Sequence, residues 1–155
     1  MSINAKLQEL EIVLDEPAAP VANYVGYNIV GDIIYVSGQI CLENGELKYQ
    51  GKIGSNHSAE IGQKAARLCA VNVLKQIKSA CNGDLSKVKK IAMLQIFVNS
   101  TDDFTDQAIV ANGASDLIAE VFGEKGKHAR AAVSCNSLPL NTSVEVSATV
   151  QIENS

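Results

Sequence analysis

Residues 143–152, SVEVSATVQI, alternate between apolar and polar side chains. Every second residue from Val144 to Ile152 is apolar, and the residues between them are Glu, Ser, Thr and Gln. Successive side chains of a β-strand point to opposite faces of its sheet. The segment therefore predicts a strand in a sheet that has one apolar face against a core and one mixed face.

Other segments of the chain also have the composition of strands. They are NYVGYNIV (23–30), IIYVSGQI (33–40), KIAMLQIFVNS (90–100) and residues 130–137. The Gly31-Asp32 pair between the first two predicts a tight turn and therefore a β-hairpin. A second turn is indicated by ENGE at 43–46.

Two long segments have helical periodicity instead. In residues 58–81 and again in residues 106–122, apolar side chains recur at steps of three and four, which forms one apolar stripe along a helix. A shorter helix is predicted over residues 3–14. The prolines of EPAAP (16–20) end it, because proline cannot continue a helix.

The order of these elements predicts a single α+β domain that spans residues 1–155. Two long helices can cover only one face of the sheet. Met93, Phe97 and Tyr35 fall on or near the other face, and no further element of the chain is left to cover them. We therefore expect a homo-oligomer in which sheet faces pack together.

The composition excludes several classes of protein. The net charge of -4 argues against a nucleic-acid partner, since binding to nucleic acid requires a basic face. No apolar run is long enough to span a bilayer, and the acidic N-terminus does not have the character of a signal peptide. The four cysteines and two histidines form no zinc motif. We expect a cytoplasmic protein without a metal site, a membrane association or disulfides.

Several motifs, in this order and spacing, resemble the Rid proteins, also called the YjgF or L-PSP family. They are YVSGQI (35–40), FVNSTDDF (97–104), HARAAV (128–133), the Leu-Pro pair at 138–139 and VEV (144–146). The resemblance extends from about Tyr24 to Ile152, and the chain is similar to the longer branch of the family.

The resemblance implies a chorismate-mutase-like fold with a mixed sheet, and homotrimers with active sites in the clefts between subunits. It also implies an activity. Well-described members hydrolyse reactive 2-imino acids to the 2-keto acid and ammonia, and they need no cofactor.

Arg130 matches the arginine with which the family binds the substrate's carboxylate. A guanidinium can bind a carboxylate through two parallel charged hydrogen bonds, which fix both its position and its plane. The small neighbours Ala131 and Ala132 leave room for a ligand. A structural salt bridge is the alternative role for Arg130.

Four more residues match site positions of the family. Glu145 matches the glutamate that orients the attacking water, and a carboxylate can pass that water's proton to the leaving nitrogen. Tyr24 and Ser37 match a tyrosine and a serine of the pocket, although both could be hairpin residues. Asn112 falls where the family has a pocket asparagine on its second long helix.

One departure from the family leaves the function open. Typical deaminases of the family have a cysteine two residues after the arginine, where this chain has Ala132. Cys135 cannot replace it, because strand alternation points it to the opposite face from Arg130. A non-catalytic protein that binds small carboxylates is therefore the alternative to a deaminase. A ribonuclease is less favoured, because the chain is acidic and its histidines are not placed as bases matched to neutral pH.

Overall fold

The computed structural model describes residues 1–20 and 22–154, and it shows an α+β fold with a mixed sheet. The α-helices are α1 (Ile3–Glu9), α2 (Ala59–Ala80) and α3 (Gln107–Phe122). The strands are β1 (Tyr27–Val30), β2 (Ile33–Gln39), β3 (Leu42–Glu43), β4 (Glu46–Leu47), β5 (Val88–Asn99), β6 (Ala129–Cys135) and β7 (Val144–Ile152). Within these residues, none of the helices has the length and apolar character needed to cross a membrane.

Five strands form the main sheet in the order β1-β2-β7-β5-β6. All neighbours are antiparallel except β5 and β6, which are parallel. Strand β7, which was predicted from residues 143–152, lies at the centre, and its alternate side chains from Val144 to Val150 are buried. The small strands β3 and β4 form a separate hairpin at the predicted ENGE turn.

The two long helices pack on the apolar face, as predicted. The N-terminus of α2 is capped by Ser58, whose Oγ accepts a hydrogen bond from the Ile61 amide at 3.3 Å. The helix ends where Asn82 and Gly83 take positive φ angles of 53° and 89°. Its buried face packs against β7 and α3, so the core lies between the helices and the sheet.

The two long helices approach each other closely at one glycine. A Cβ atom added to Gly113 on α3 would overlap the backbone carbonyl of Gln63 on α2. Gln63 also donates a hydrogen bond from its Nε2 to the Ile109 carbonyl at 2.9 Å. The absence of a side chain at Gly113 therefore sets the distance between the helices.

The N-terminal helix is shorter than predicted. It ends at Glu9 instead of residue 14, because Glu11 has a φ angle of 57° that breaks the helical path. The chain then continues as an extended segment along α2. The segment is held there by a salt bridge of 2.7 Å between Asp15 and Lys75 and by a hydrogen bond of 2.9 Å from Lys78 to the Leu14 carbonyl.

The face of the sheet opposite the helices is uncovered within the described part of one chain. Tyr35 pairs with Thr149, which pairs with Met93, and these residues form a row across this face. Tyr35 is 51% exposed and Val133, on the same face, is 47% exposed. The mixed character that the sequence predicted for this face is confirmed.

We predict that Gly113→Ala destabilises the protein. The new methyl group meets a backbone carbonyl that cannot rotate away, so the helices must separate, at a cost of about 1–3 kcal/mol. Chemical denaturation measures this free energy of unfolding. Gly62→Ala is the matched control, because its Cβ would meet only side chains, Val110 Cγ2 at 2.8 Å and Ile53 Cδ1 at 3.4 Å, and side chains can move. Equal stability of Gly113→Ala and wild type would contradict the proposed contact.

Candidate functional site

Arg130 lies on the edge strand β6 and points to the helix side of the sheet. It pairs with Leu94, which is fully buried under the helices. Its guanidinium reaches α3, where Nη1 donates to Asn112 Oδ1 at 2.8 Å and to Ser115 Oγ at 3.1 Å. Nη2 donates to the Ala108 carbonyl at 3.3 Å. The structure thus brings together two of the predicted site residues, Arg130 and Asn112.

All three groups that hold the guanidinium are electrically neutral. In residues 1–20 and 22–154, the four ion pairs of the chain join other residues, and none includes Arg130. A structural salt bridge, the alternative role considered for Arg130, is therefore not present within the described part of one chain. The half-buried positive charge is oriented but not neutralised, which is the state expected of a site for an anion.

Two residues near the guanidinium were not predicted from the sequence. Ser115 lies on the same face of α3 as Asn112, three residues further on, and bonds Arg130 directly. His128 connects to Ser115 through its Nε2 at 2.9 Å, and its Nδ1 donates to the Gly126 carbonyl at 2.6 Å. The spacing of Ser115 from Asn112 was the signal in the sequence, but it becomes informative only when β6 is known to lie beside α3.

Tyr24 and Ser37 lie near the end of β2, toward the edge of the sheet that is opposite to the edge strand of Arg130. The Ser37 hydroxyl donates to the Val25 carbonyl at 2.6 Å, so its proton is used in a local bond. The side chain of Tyr24 is 54% exposed. It lines a cavity of about 530 Å³ together with Gly38 and Gln39.

Glu145, on β7, lies beside the same end of β2. Its carboxyl carbon would be 2.8 Å from a Cβ atom at Gly38, so only glycine leaves room for the carboxylate there. The carboxylate has no salt-bridge partner in the described part of the chain, and burial raises the pKa of Glu145 above its ordinary value. A carboxyl group that holds its proton more firmly is suited to both accept and return a proton.

Arg130 and Glu145 do not share one cleft within a single chain. Glu145 pairs with Phe97, whose neighbour on β6 is Val133, so it lies on the uncovered face of the sheet. Arg130 lies on the helix face, two strands away, or about 10 Å across the sheet. We call Arg130, Asn112 and Ser115 the arginine half-site.

The second group consists of Tyr24, Ser37 and Glu145, and we call it the glutamate half-site.

Ala132 is on the same face as Arg130, and Cys135 has the opposite parity on β6, as predicted. No cluster of His, Cys, Asp or Glu side chains suited to a metal ion occurs in the described residues.

Comparison with known proteins identifies the relatives of this chain. The family model described as "YjgF/chorismate mutase-like, putative endoribonuclease" matches residues 4–151. Protein TCP17 from Trypanosoma cruzi is 46% identical over 153 residues, which cover 98% of this chain and 95% of that protein.

Two crystal structures share the fold over nearly the whole chain. Atu1372 from Agrobacterium tumefaciens, a protein of unknown function, is 48% identical with a TM-score of 0.92, and the match covers 97% of this chain and 92% of that one. A "putative endoribonuclease" from Shewanella oneidensis MR-1 is 34% identical with a TM-score of 0.94, over 98% of this chain and 100% of that one.

We predict that Glu145→Gln stabilises the fold at pH 7. The pKa of Glu145 is raised in the folded state, so its ionised form opposes folding, and stability is lost as the pH rises above the ordinary value for glutamate. The melting temperature of the variant should exceed that of wild type at pH 7. The difference should shrink as the pH falls, because both side chains are then uncharged.

Glu120→Gln is the control, since Glu120 is an exposed carboxylate on α3. Its melting temperature should follow that of wild type between pH 4 and pH 8. A Glu145→Gln profile that also follows wild type would show that the Glu145 carboxylate is solvated or paired in solution.

Proposed function

The chain belongs to the YjgF/chorismate mutase-like family, and on that premise we propose that it is a hydrolase that converts small 2-imino acids to 2-keto acids and ammonia. The observation that carries the proposal is the guanidinium of Arg130, which neutral groups hold in place without neutralising it. A 2-imino acid supplies the missing anion, because its carboxylate lies next to the reactive C=N carbon.

In the proposed reaction, Arg130 binds the carboxylate and Glu145 activates a water molecule. The water oxygen bonds to the imine carbon while its proton passes to the Glu145 carboxylate. The protonated Glu145 then gives this proton to nitrogen, which completes a carbinolamine. Glu145 next takes the proton of the new hydroxyl group and passes it to nitrogen as the C=O bond forms and the C–N bond breaks, so that the keto acid and ammonia leave. The raised pKa of Glu145 supports the step in which the carboxyl group holds the proton. The reaction requires no cofactor.

The two half-sites suggest how the active site is assembled. Since Arg130 and Glu145 lie on opposite faces of one sheet, we propose that each cleft combines the arginine half-site of one subunit with the glutamate half-site of the next. A homotrimer built around the uncovered sheet faces would form three such clefts and would cover Tyr35 and Val133.

The proposal includes a cytoplasmic location, in which the four free cysteines would stay reduced.

A ribonuclease has less support from the geometry. His57 donates its Nε2 proton to the Gln50 carbonyl at 2.7 Å, and both ring nitrogens of His128 already have partners. A net charge of -4 also disfavours an RNA substrate. A protein that binds carboxylates without turnover is the second candidate, because Ala132 stands where typical deaminases of the family have a cysteine.

We predict that Arg130→Ala weakens the binding of 2-oxobutanoate by about 30- to 150-fold, since a charged two-point contact in a partly dry cleft is worth about 2–3 kcal/mol. Calorimetric titration of both proteins measures the dissociation constants. Arg67→Ala, which removes the only other arginine of the chain, is the matched control and should bind like wild type. Equal affinities of Arg130→Ala and wild type would mean that the arginine has a structural role.

We predict that Glu145→Gln retains this binding but hydrolyses imines roughly 10²-fold more slowly, the usual scale for a positioned acid–base group. An amino-acid oxidase can generate the 2-imino acid in the assay, and semicarbazide traps what remains. Wild type should lower the trapped signal. A wild-type protein that leaves the signal unchanged with several imino acids would favour the binding protein over the deaminase.

Mixing the two inactive variants tests the proposed assembly. If each cleft takes Arg130 and Glu145 from different subunits, co-expressed Arg130→Ala and Glu145→Gln chains form some intact clefts. In randomly mixed cyclic trimers, about one quarter of the clefts would be intact, and activity should recover to that extent. No recovery in mixed trimers would place both residues of a cleft in the same subunit.

A further inference from the structure

A second candidate binding site lies under the extended N-terminal segment. The open cavity of about 530 Å³ is lined by residues 15–20, the end of β2, the β3–β4 hairpin and one face of α2. This volume is within the range of pockets that bind small organic molecules. Arg130, Asn112 and Glu145 do not line it.

Two buried carboxamides on α2 face this cavity. Asn72 and Gln76 are one helical turn apart, and they are only 8% and 5% exposed. Asn72 uses its Nδ2 atom to bond the Ile40 and Leu42 carbonyls at 3.0 Å and 2.9 Å, which leaves its oxygen available. The amide of Gln76 has no hydrogen-bond partner in residues 1–20 and 22–154. No fully buried side-chain nitrogen or oxygen lacks a hydrogen-bond partner in the described residues, so the amide of Gln76 remains accessible from the cavity, where a ligand could bond to it.

The position of Gln76 depends on a glycine. A Cβ atom on Gly26 would lie 2.7 Å from both Cδ and Nε2 of Gln76, so the amide packs directly on the glycine backbone. The remaining walls are largely apolar, including Pro17, Pro20 and Leu42.

The charges around the cavity disfavour an anion. Lys75, the cation that lines it, is bound to Asp15 at 2.7 Å, and Glu16 adds a further carboxylate. The exposed ring of Tyr24 at the wall offers a flat surface on which another ring can stack. The cavity therefore favours an uncharged ligand, whereas the arginine half-site favours an anion.

We propose that this cavity binds an uncharged, planar ring compound that carries an amide-type group. The N–H and C=O of such a group would bond Gln76 and the oxygen of Asn72, and the ring would lie between Tyr24 and the proline-rich segment. The cavity shares Tyr24 with the glutamate half-site, but Arg130 and Glu145, which carry the proposed reaction, do not line it, so the site does not rest on the proposed imine hydrolysis.

Three pyridine compounds that differ in one substituent test the proposal. Nicotinamide has a neutral amide, nicotinate has a carboxylate, and 3-(aminomethyl)pyridine has an ammonium group. We expect saturation-transfer NMR to show binding of nicotinamide to the wild-type protein, with affinity at least tenfold higher than for the two charged compounds. Absence of nicotinamide binding, or equal binding of all three, would overturn the proposal.

Variants then locate the binding. Gln76→Leu removes the amide and should weaken nicotinamide binding at least tenfold. Gly26→Ala should do the same by displacing the amide, and it decides the matter if Gln76→Leu does not fold. Arg130→Ala should leave nicotinamide binding unchanged while weakening that of 2-oxobutanoate. Nicotinamide binding that survives both Gln76→Leu and Gly26→Ala, or that 2-oxobutanoate displaces, would show that the cavity is not a separate site.

Discussion

Two helices cover a five-stranded sheet on one face only, and this constraint decides where every group of the candidate site lies. Side chains of one parity are buried beneath α2 and α3, and those of the other parity lie on an uncovered face. Arg130 escapes burial because it belongs to the edge strand, where the row Val36, Ala148, Leu94 reaches the end of the sheet. Glu145 has the other parity, so it lies on the uncovered face.

The electrostatics of the two half-sites are complementary. One half-site keeps a positive charge that only neutral oxygens contact, and the other keeps a carboxylate that burial makes reluctant to ionise. Neither group has an oppositely charged partner in the described part of the chain. A small anionic substrate that reacts with water would satisfy both groups, and neither half-site alone offers the full chemistry.

Local patterns were enough to predict the strands, the long helices and the faces of the sheet, because alternation and helical periodicity are properties of neighbouring residues. The family resemblance also led to Asn112, whose Oδ1 lies 2.8 Å from Nη1 of Arg130 in the structure. The sequence did not indicate how far Arg130 lies from Glu145 within one chain, since that distance depends on β6 pairing with β5 and not with β7. The cavity under residues 15–20 was also missed, because an irregular segment has no periodicity to reveal what it covers.

The close approach of the two long helices has a consequence for binding. Gly113 follows Asn112 directly on α3, so the glycine that packs against α2 also determines where the partner of Arg130 sits. A guanidinium held by a helix that cannot slide has already lost its rotamer freedom before any ligand arrives. The conformational entropy of the Arg130 side chain is then lost during folding and not during binding. A small ligand with few contacts benefits most from such preorganisation.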